Sequence, residues 1–173
     1  MKTTAFLAVA LTVLPCWASA DALRSQLAAS DKTVSRFLLA KDVKGFKTYM
    51  KGIVTPDFKH VEEGRAIGFD AMCAEMEKGL GQMKKMNQAT ESAISIQEHG
   101  DTAAVTTNHY MQGVMPGPSK KPVFLGFIGT TKDTWVRQHG KWKMSRMEWV
   151  HQTMMINGKP VGGAAPATHG KAS

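Results

Sequence analysis

Cysteine is almost missing from this chain of 173 residues, which has 2, Cys16 and Cys73. Cys16 falls in an N-terminal leader, so Cys73 is left alone in the domain and no intramolecular disulfide can form there; the fold has to rest on its core. A long apolar run is also lacking after the leader. A bilayer-crossing helix needs about 20 predominantly apolar residues, and the absence of such a run excludes integral membrane association through a helix. Charge never collects into a long run of one sign: the basic residues gather only at Lys84-Lys85, Lys120-Lys121 and Lys141 to Arg146. With no RNA-binding signature beside them, nucleic acid is not an expected partner. Internal repeats, a metal-ligand motif and a cofactor fingerprint are absent too, so no cofactor and no metal are assigned.

The first twenty residues carry Lys2, an apolar stretch from Ala5 to Leu14, and the small residues Ala18 and Ala20 around Ser19. This is the pattern of a cleavable signal peptide over 1–20, with Asp21 as the mature N-terminus and an exported protein, periplasmic or secreted, as the product. Pro15 before Cys16 argues against a lipoprotein. Lys+Arg number 22 against 14 Asp+Glu; loss of Lys2 leaves a net charge of about +7, enough to favour an anionic cell surface. Residues 21–157 are expected to form one domain, and 158–173, with no large apolar residue beyond Val161, a flexible tail.

Apolar residues at Leu23, Leu27, Val34, Phe37 and Leu38 predict an amphipathic helix from Asp21 to Ala40. Asp42 predicts the cap of a short second helix ending near Gly52. Pro56 then breaks the helical pattern, and Phe58 to Glu62 reads as a short strand. A third helix carries Phe69, Met72, Cys73, Met76, Leu80 and Met83 on one stripe. Beyond Met86 strands take over: Ala93 to Gln97, a turn at His99-Gly100-Asp101, Thr102 to Gln112, a loop over 116–122, Val123 to Gln138, and Lys141 to Met155. Trp142, Met144, Met147 and Trp149 do not keep one alternation, which predicts a bulge in the last strand. Helices followed by a meandering antiparallel sheet make an α+β domain, its helices against one sheet face and a concave apolar site between them.

Candidate functional residues fall on the strands. Phe58, His60 and Glu62 share one strand face, where His60 suits a general base oriented by Glu62. Asp57 is the second candidate base, although its position after a proline also suits a turn cap. Of Asn108, His109 and Tyr110, adjacent residues face opposite ways. If Asn108 and Tyr110 face the site they orient a carbonyl or hydroxyl on an apolar ligand. Trp135 and Trp149 are candidate lining residues, and Asp133 pairs with Arg137 or Arg146, as a ligand clamp or as a cross-strand ion pair. Cys73, inside an apolar stripe, is an inert thiol. The 12 methionines are flexible filling for a core and an adaptable pocket.

Thr55-Pro56-Asp57-Phe58, Gly100-Asp101-Thr102-Ala103, and Asp133-Thr134-Trp135-Val136-Arg137 followed by Gly140-Lys141-Trp142-Lys143 together resemble the NTF2-like superfamily, in its SnoaL-like or DUF4440-type branch. The resemblance implies a cone-shaped fold with the helices in the concavity of a curved sheet, a homodimer formed through the outer sheet face, and a pocket that takes a small, largely apolar molecule. Catalytic members use an acidic or histidine base inside the cone. The tyrosine and paired acids of the isomerase-type oxyanion site have no counterpart here, so binding without catalysis is the first expectation. An isomerase or dehydratase using His60 or Asp57, and a dimerising or partner-binding module without a ligand, are the alternatives.

Overall fold

A computed structural model of the chain describes residues 17–117 and 121–161. The elements run α1 (Trp17–Ala40), α2 (Val43–Lys51), β1 (Val54–Glu62), β2 (Arg65–Gly68), α3 (Phe69–Gln82), β3 (Lys85–His99), β4 (Thr102–Pro116), β5 (Pro122–Gln138), β6 (Lys141–Ile156) and β7 (Lys159–Val161). The sheet order is β2-β1-β6-β5-β4-β3, with β7 paired to β6. Every pairing is antiparallel except β1 with β6, which is parallel. This is the expected α+β arrangement of helices and a curved, unclosed sheet.

Local chemistry accounts for most boundaries. Asp42 caps α2 by accepting the Gly45 amide at 2.8 Å, the usual satisfaction of an orphan N–H at a helix start. β1 begins at Val54, ahead of the strand expected from Phe58, because Pro56 lies where the pairing with β6 skips from Val54 to Lys59 and no ladder N–H is required of it. The tail is also redrawn. α1 starts at Trp17, inside the expected leader, whose residues 1–16 lie outside the described residues. Lys159–Val161 form β7 instead of tail, because Asn157 and Gly158, at φ 51 and 78, make the two-residue hairpin turn that positive φ permits. The Asn157 carboxamide also accepts the Phe124 amide at 3.0 Å. Residues 162–173 lie outside the described residues.

Bulges curve the sheet. On β6 the register to β5 skips at Ser145, between Thr134↔Arg146 and Trp135↔Met144, and again at Val150, between Thr130↔His151 and Thr131↔Trp149. Each skip bends the strand and resets which side chains face inward, and this puts Trp142, Met144, Met147 and Trp149 on one face. β3 has similar skips at Asn87 and Ile94. The concave face so formed receives α1 through Leu23, Leu27, Val34 and Leu38, all buried, over Val105 and Trp135. No helix among the described residues is long and apolar enough to cross a membrane.

Candidate functional site

Between the three helices and the concave face lies a cavity of about 320 Å³. Its wall is mostly apolar and rich in thioethers: Met50, Met72, Met76, Met111, Met144 and Met147 all line it. Methionine fits irregular shapes and makes favourable sulfur contacts with rings. Phe58, Trp135 and Trp149 complete the aromatic part.

The polar groups on that wall come from α1, α3, β1, β3, β4 and β5. Asp31 stands on α1 at the heptad-like position between Leu27 and Val34, so the helix points a carboxylate into the cavity along with its apolar stripe. Burial raises its pKa to about 6, with the charges of Glu91 and Asp133 adding to the rise and His109 opposing it. Asp133, on β5, is 3% exposed; desolvation pushes it up to about 6 against the hydrogen bonds from Thr107 and Thr131. Thr107 Oγ1 donates to Asp133 Oδ2 at 2.9 Å. Asp133 Oδ1 and Trp135 Nε1 are buried with no hydrogen-bond partner among the described residues. Both residues line the cavity, and a buried acceptor and a buried donor without partners are costly to the fold.

His109, on β4, is 5% exposed and links three elements. Its Nδ1 lies 3.4 Å from Glu91 Oε1 on β3, its Nε2 is 3.0 Å from Thr131 Oγ1 on β5, and its ring packs on Trp149 of β6 at 4.8 Å between centroids. His60 also lines the cavity, but the Trp149 indole N–H donates to its Nε2 at 2.9 Å. That bond occupies the lone pair a general base would use and fixes the proton on Nδ1; burial lowers the imidazole pKa further.

The structure brings His60, Phe58, Trp135 and Trp149 to the cavity and leaves three of the sequence candidates outside it. Asp57 is exposed, because alternation along β1 turns it away from the face that carries Phe58 and His60. Asn108 and Tyr110 occupy the outer face for the same reason, and Asn108 accepts a hydrogen bond there from Thr130 at 2.9 Å. Asp133 pairs with neither arginine: Arg146 binds Glu148 at 3.0 Å, and Arg137 stacks on Trp142 at 4.6 Å. The sequence reading passed over Asp31, Glu91, Thr107 and Thr131. Asp31 carried a usable signal, a carboxylate in register with an apolar helical stripe. Among the described residues, no group of three or more His, Cys, Asp or Glu could hold a metal ion.

Comparison with known proteins agrees with this architecture. The model of the SnoaL-like domain matches residues 33–148. A search of curated proteins finds no significant match. Among solved structures, a candidate scytalone dehydratase from Novosphingobium aromaticivorans is similar at 18% identity and TM-score 0.57, over 91% of this chain and 97% of that one. An NTF2-like superfamily protein from Salmonella enterica serovar Typhimurium is similar at 11% identity and TM-score 0.56, over 89% and 99%. A type 2 hexachlorocyclohexane dehydrochlorinase follows at 14% identity and TM-score 0.50, over 87% and 96%. At these identities the likeness to the solved structures is one of fold, whereas the matched span of the family model covers most of the domain, from the middle of α1 to β6: the chain belongs to the SnoaL-like family and carries the NTF2-like fold.

Proposed function

We propose that the cone binds a small, largely apolar molecule and moves a proton on it without a cofactor, as an isomerase or lyase. Asp31 is the acid–base group and Asp133 with Trp135 holds a carbonyl or hydroxyl of the ligand. The observation that carries this reading is a pair of cavity carboxylates, Asp31 and Asp133, each raised to about 6. A base with a pKa near the working pH accepts and returns a proton efficiently. Asp31 takes a proton from carbon; it returns that proton at another carbon in an isomerisation, or the electron pair expels a leaving group in an elimination. Dehydratase and dehydrochlorinase, the activities in the names of two similar structures, are eliminations of this kind. His60 and Asp57 are not the bases in this reading, given the indole bond on the first and the outward position of the second.

The cavity also limits size. An apolar cavity of roughly 150 Å³ admits one benzene ring, so about 320 Å³ suits a molecule of about two rings. The experiment is solvent-deuterium incorporation into 2-tetralone, a bicyclic ketone with acidic carbon-bound hydrogens, followed by NMR. The wild-type protein should accelerate incorporation over buffer, and Asp31→Asn should reduce it about 10²- to 10⁴-fold with little change in probe affinity. Binding without accelerated exchange returns the protein to a carrier; neither binding nor exchange contradicts the reading. The export signal and dimerisation belong to the same proposal: Phe124 and Ile128, exposed on the outer sheet face, support a second copy there. N-terminal sequencing and native mass spectrometry test the two points.

A further inference from the structure

The cavity wall carries charge of the opposite sign to the chain as a whole. Lys and Arg outnumber Asp and Glu by 22 to 14 in the sequence. Yet five carboxylates line the cavity, Asp31, Glu62, Glu75, Glu91 and Asp133, and among the described residues neither a lysine nor an arginine does. Two of the five already have partners: Arg65 binds Glu75 at 3.0 Å, and the Gln152 carboxamide donates to Glu62 at 2.8 Å. The other three come from α1, β3 and β5, and the charges of Glu91 and Asp133 both act on Asp31. Among the described residues no lysine or arginine forms an ion pair with any of these three. His109 stands beside them, its Nδ1 3.4 Å from Glu91 Oε1, and even as an imidazolium it offsets one negative charge of the three. Asp133 is 3% exposed, and its Oδ1 has no hydrogen-bond partner among the described residues.

Charge of one sign in an apolar enclosure calls for a counter-charge, and the wall does not supply it. The carboxylates are too dispersed for a metal ion, since no group of three or more His, Cys, Asp or Glu among the described residues could hold one. The remaining wall suits an organic cation instead: Phe58, Trp135 and Trp149 line the same space, and aromatic ring faces attract a positive charge. We propose that the molecule bound in the cone is an organic cation, a protonated amine on an apolar body of about two rings, with its ammonium among Asp31, Glu91 and Asp133. This rests on the reading of the cone as the site of a small, largely apolar molecule, and adds the charge which that molecule carries. An ammonium beside Asp31 also favours the ionised carboxylate, the form that accepts a proton from carbon.

The experiment is titration calorimetry on the whole protein with 2-aminotetralin, 2-tetralol and tetralin-2-carboxylate, one ring skeleton bearing a cation, a neutral hydroxyl and an anion. At pH 8 the amine should bind about 10- to 100-fold more tightly than the alcohol, the gain expected of hydrogen bonds to charged groups, and the carboxylate should bind most weakly. A non-specific charge effect runs the other way, because a chain of formal net charge +8 favours the anion. Asp31→Asn and Glu91→Gln should each weaken amine binding about tenfold and leave alcohol binding unchanged, which also shows that each variant folds. From pH 8 to pH 5 the amine should lose affinity as Asp31 and Asp133, each raised to about 6, become neutral. Protonation of His60 on β1 or His109 on β4 acts in the same direction, while Glu62 on β1 and Glu75 on α3 face the cavity with partners of their own. Near pH 6 amine binding should release protons to the buffer, and alcohol binding should not. Equal affinity for the amine and the alcohol, or tighter binding of the carboxylate, overturns the proposal and leaves the cone a binding site. Binding of none of the three overturns the cone as a binding site and this proposal with it. Selective amine binding by a protein that does not accelerate 2-tetralone exchange supports the proposal and fails the proton-transfer reading alone.

Discussion

Replacing Asp133 by asparagine should make the protein more stable at neutral and alkaline pH. The carboxyl has a pKa of about 6 in the fold against a reference value of 3.8, a gap of about two units, and each unit corresponds to about 1.4 kcal/mol. The unfolded chain therefore loses its proton near pH 4 and the folded one near pH 6. Between these values the folded state binds more protons, so stability falls as pH rises and has lost about 3 kcal/mol above pH 6. The carboxamide of the Asp133→Asn variant is neutral throughout, and its carbonyl still accepts the Thr107 hydroxyl. The variant should match the wild type near pH 4 and exceed it by about 2 to 3 kcal/mol at pH 8, which for a domain of this size raises Tm by roughly 10 °C. The assay is urea unfolding at pH 4, 6 and 8. A variant less stable than the wild type at pH 8, or one that keeps the wild-type slope between pH 4 and 6, would overturn this prediction, because the charge would then be stabilised where it sits.

Other outcomes follow from the same geometry. Activity that uses Asp31 as base should fall as pH drops below about 6, where the carboxyl becomes protonated, and Asp31→Asn should remove this limb of a pH–rate profile. Gly129→Ala would place a Cβ 2.6 Å from Trp149 Cζ3 and 2.9 Å from the His151 carbonyl; overpacking against backbone should cost about 1 to 3 kcal/mol and displace Trp149 from His109, read by unfolding and tryptophan fluorescence. Trp149→Phe removes the indole donor to His60 and leaves a buried nitrogen unsatisfied, a loss of about 1 to 3 kcal/mol in urea unfolding, accompanied by a changed His60 titration by NMR.

Period and punctuation in the sequence carried most of the fold. The helical stripe through Leu23, Leu27, Val34 and Leu38, the Asp42 cap, the Gly100-Asp101 turn and the broken alternation of β6 are local signals, and each has its counterpart in the structure. β2 and β7 escaped because a strand of three or four residues has too little pattern of its own and exists by pairing with a longer neighbour. The site was less legible. Phe58, His60, Trp135 and Trp149 could be placed on candidate faces, but which face of β4 turns inward depends on how the bulged sheet wraps α1, and that choice sends Asn108 and Tyr110 out and His109 in. Asp133 looked like half of an ion pair because Arg137 and Arg146 lie nearby in sequence. Strand register instead sets it beside Thr107 and Thr131, and no local rule anticipates a carboxylate buried on hydroxyls.

Proton exchange near neutrality requires that the cone keep both Asp31 and Asp133 well above the ordinary carboxylate range. A ¹³C NMR titration of the aspartate carboxyl carbons reads this without any substrate, with Asp31→Asn and Asp133→Asn used to assign the two signals. Two cavity carboxyls should titrate near pH 6, each moving lower when the other is replaced by asparagine. Titration of both near pH 4 would instead leave the cone a binding site with ordinary ionised carboxylates and remove the basis for proton transfer there.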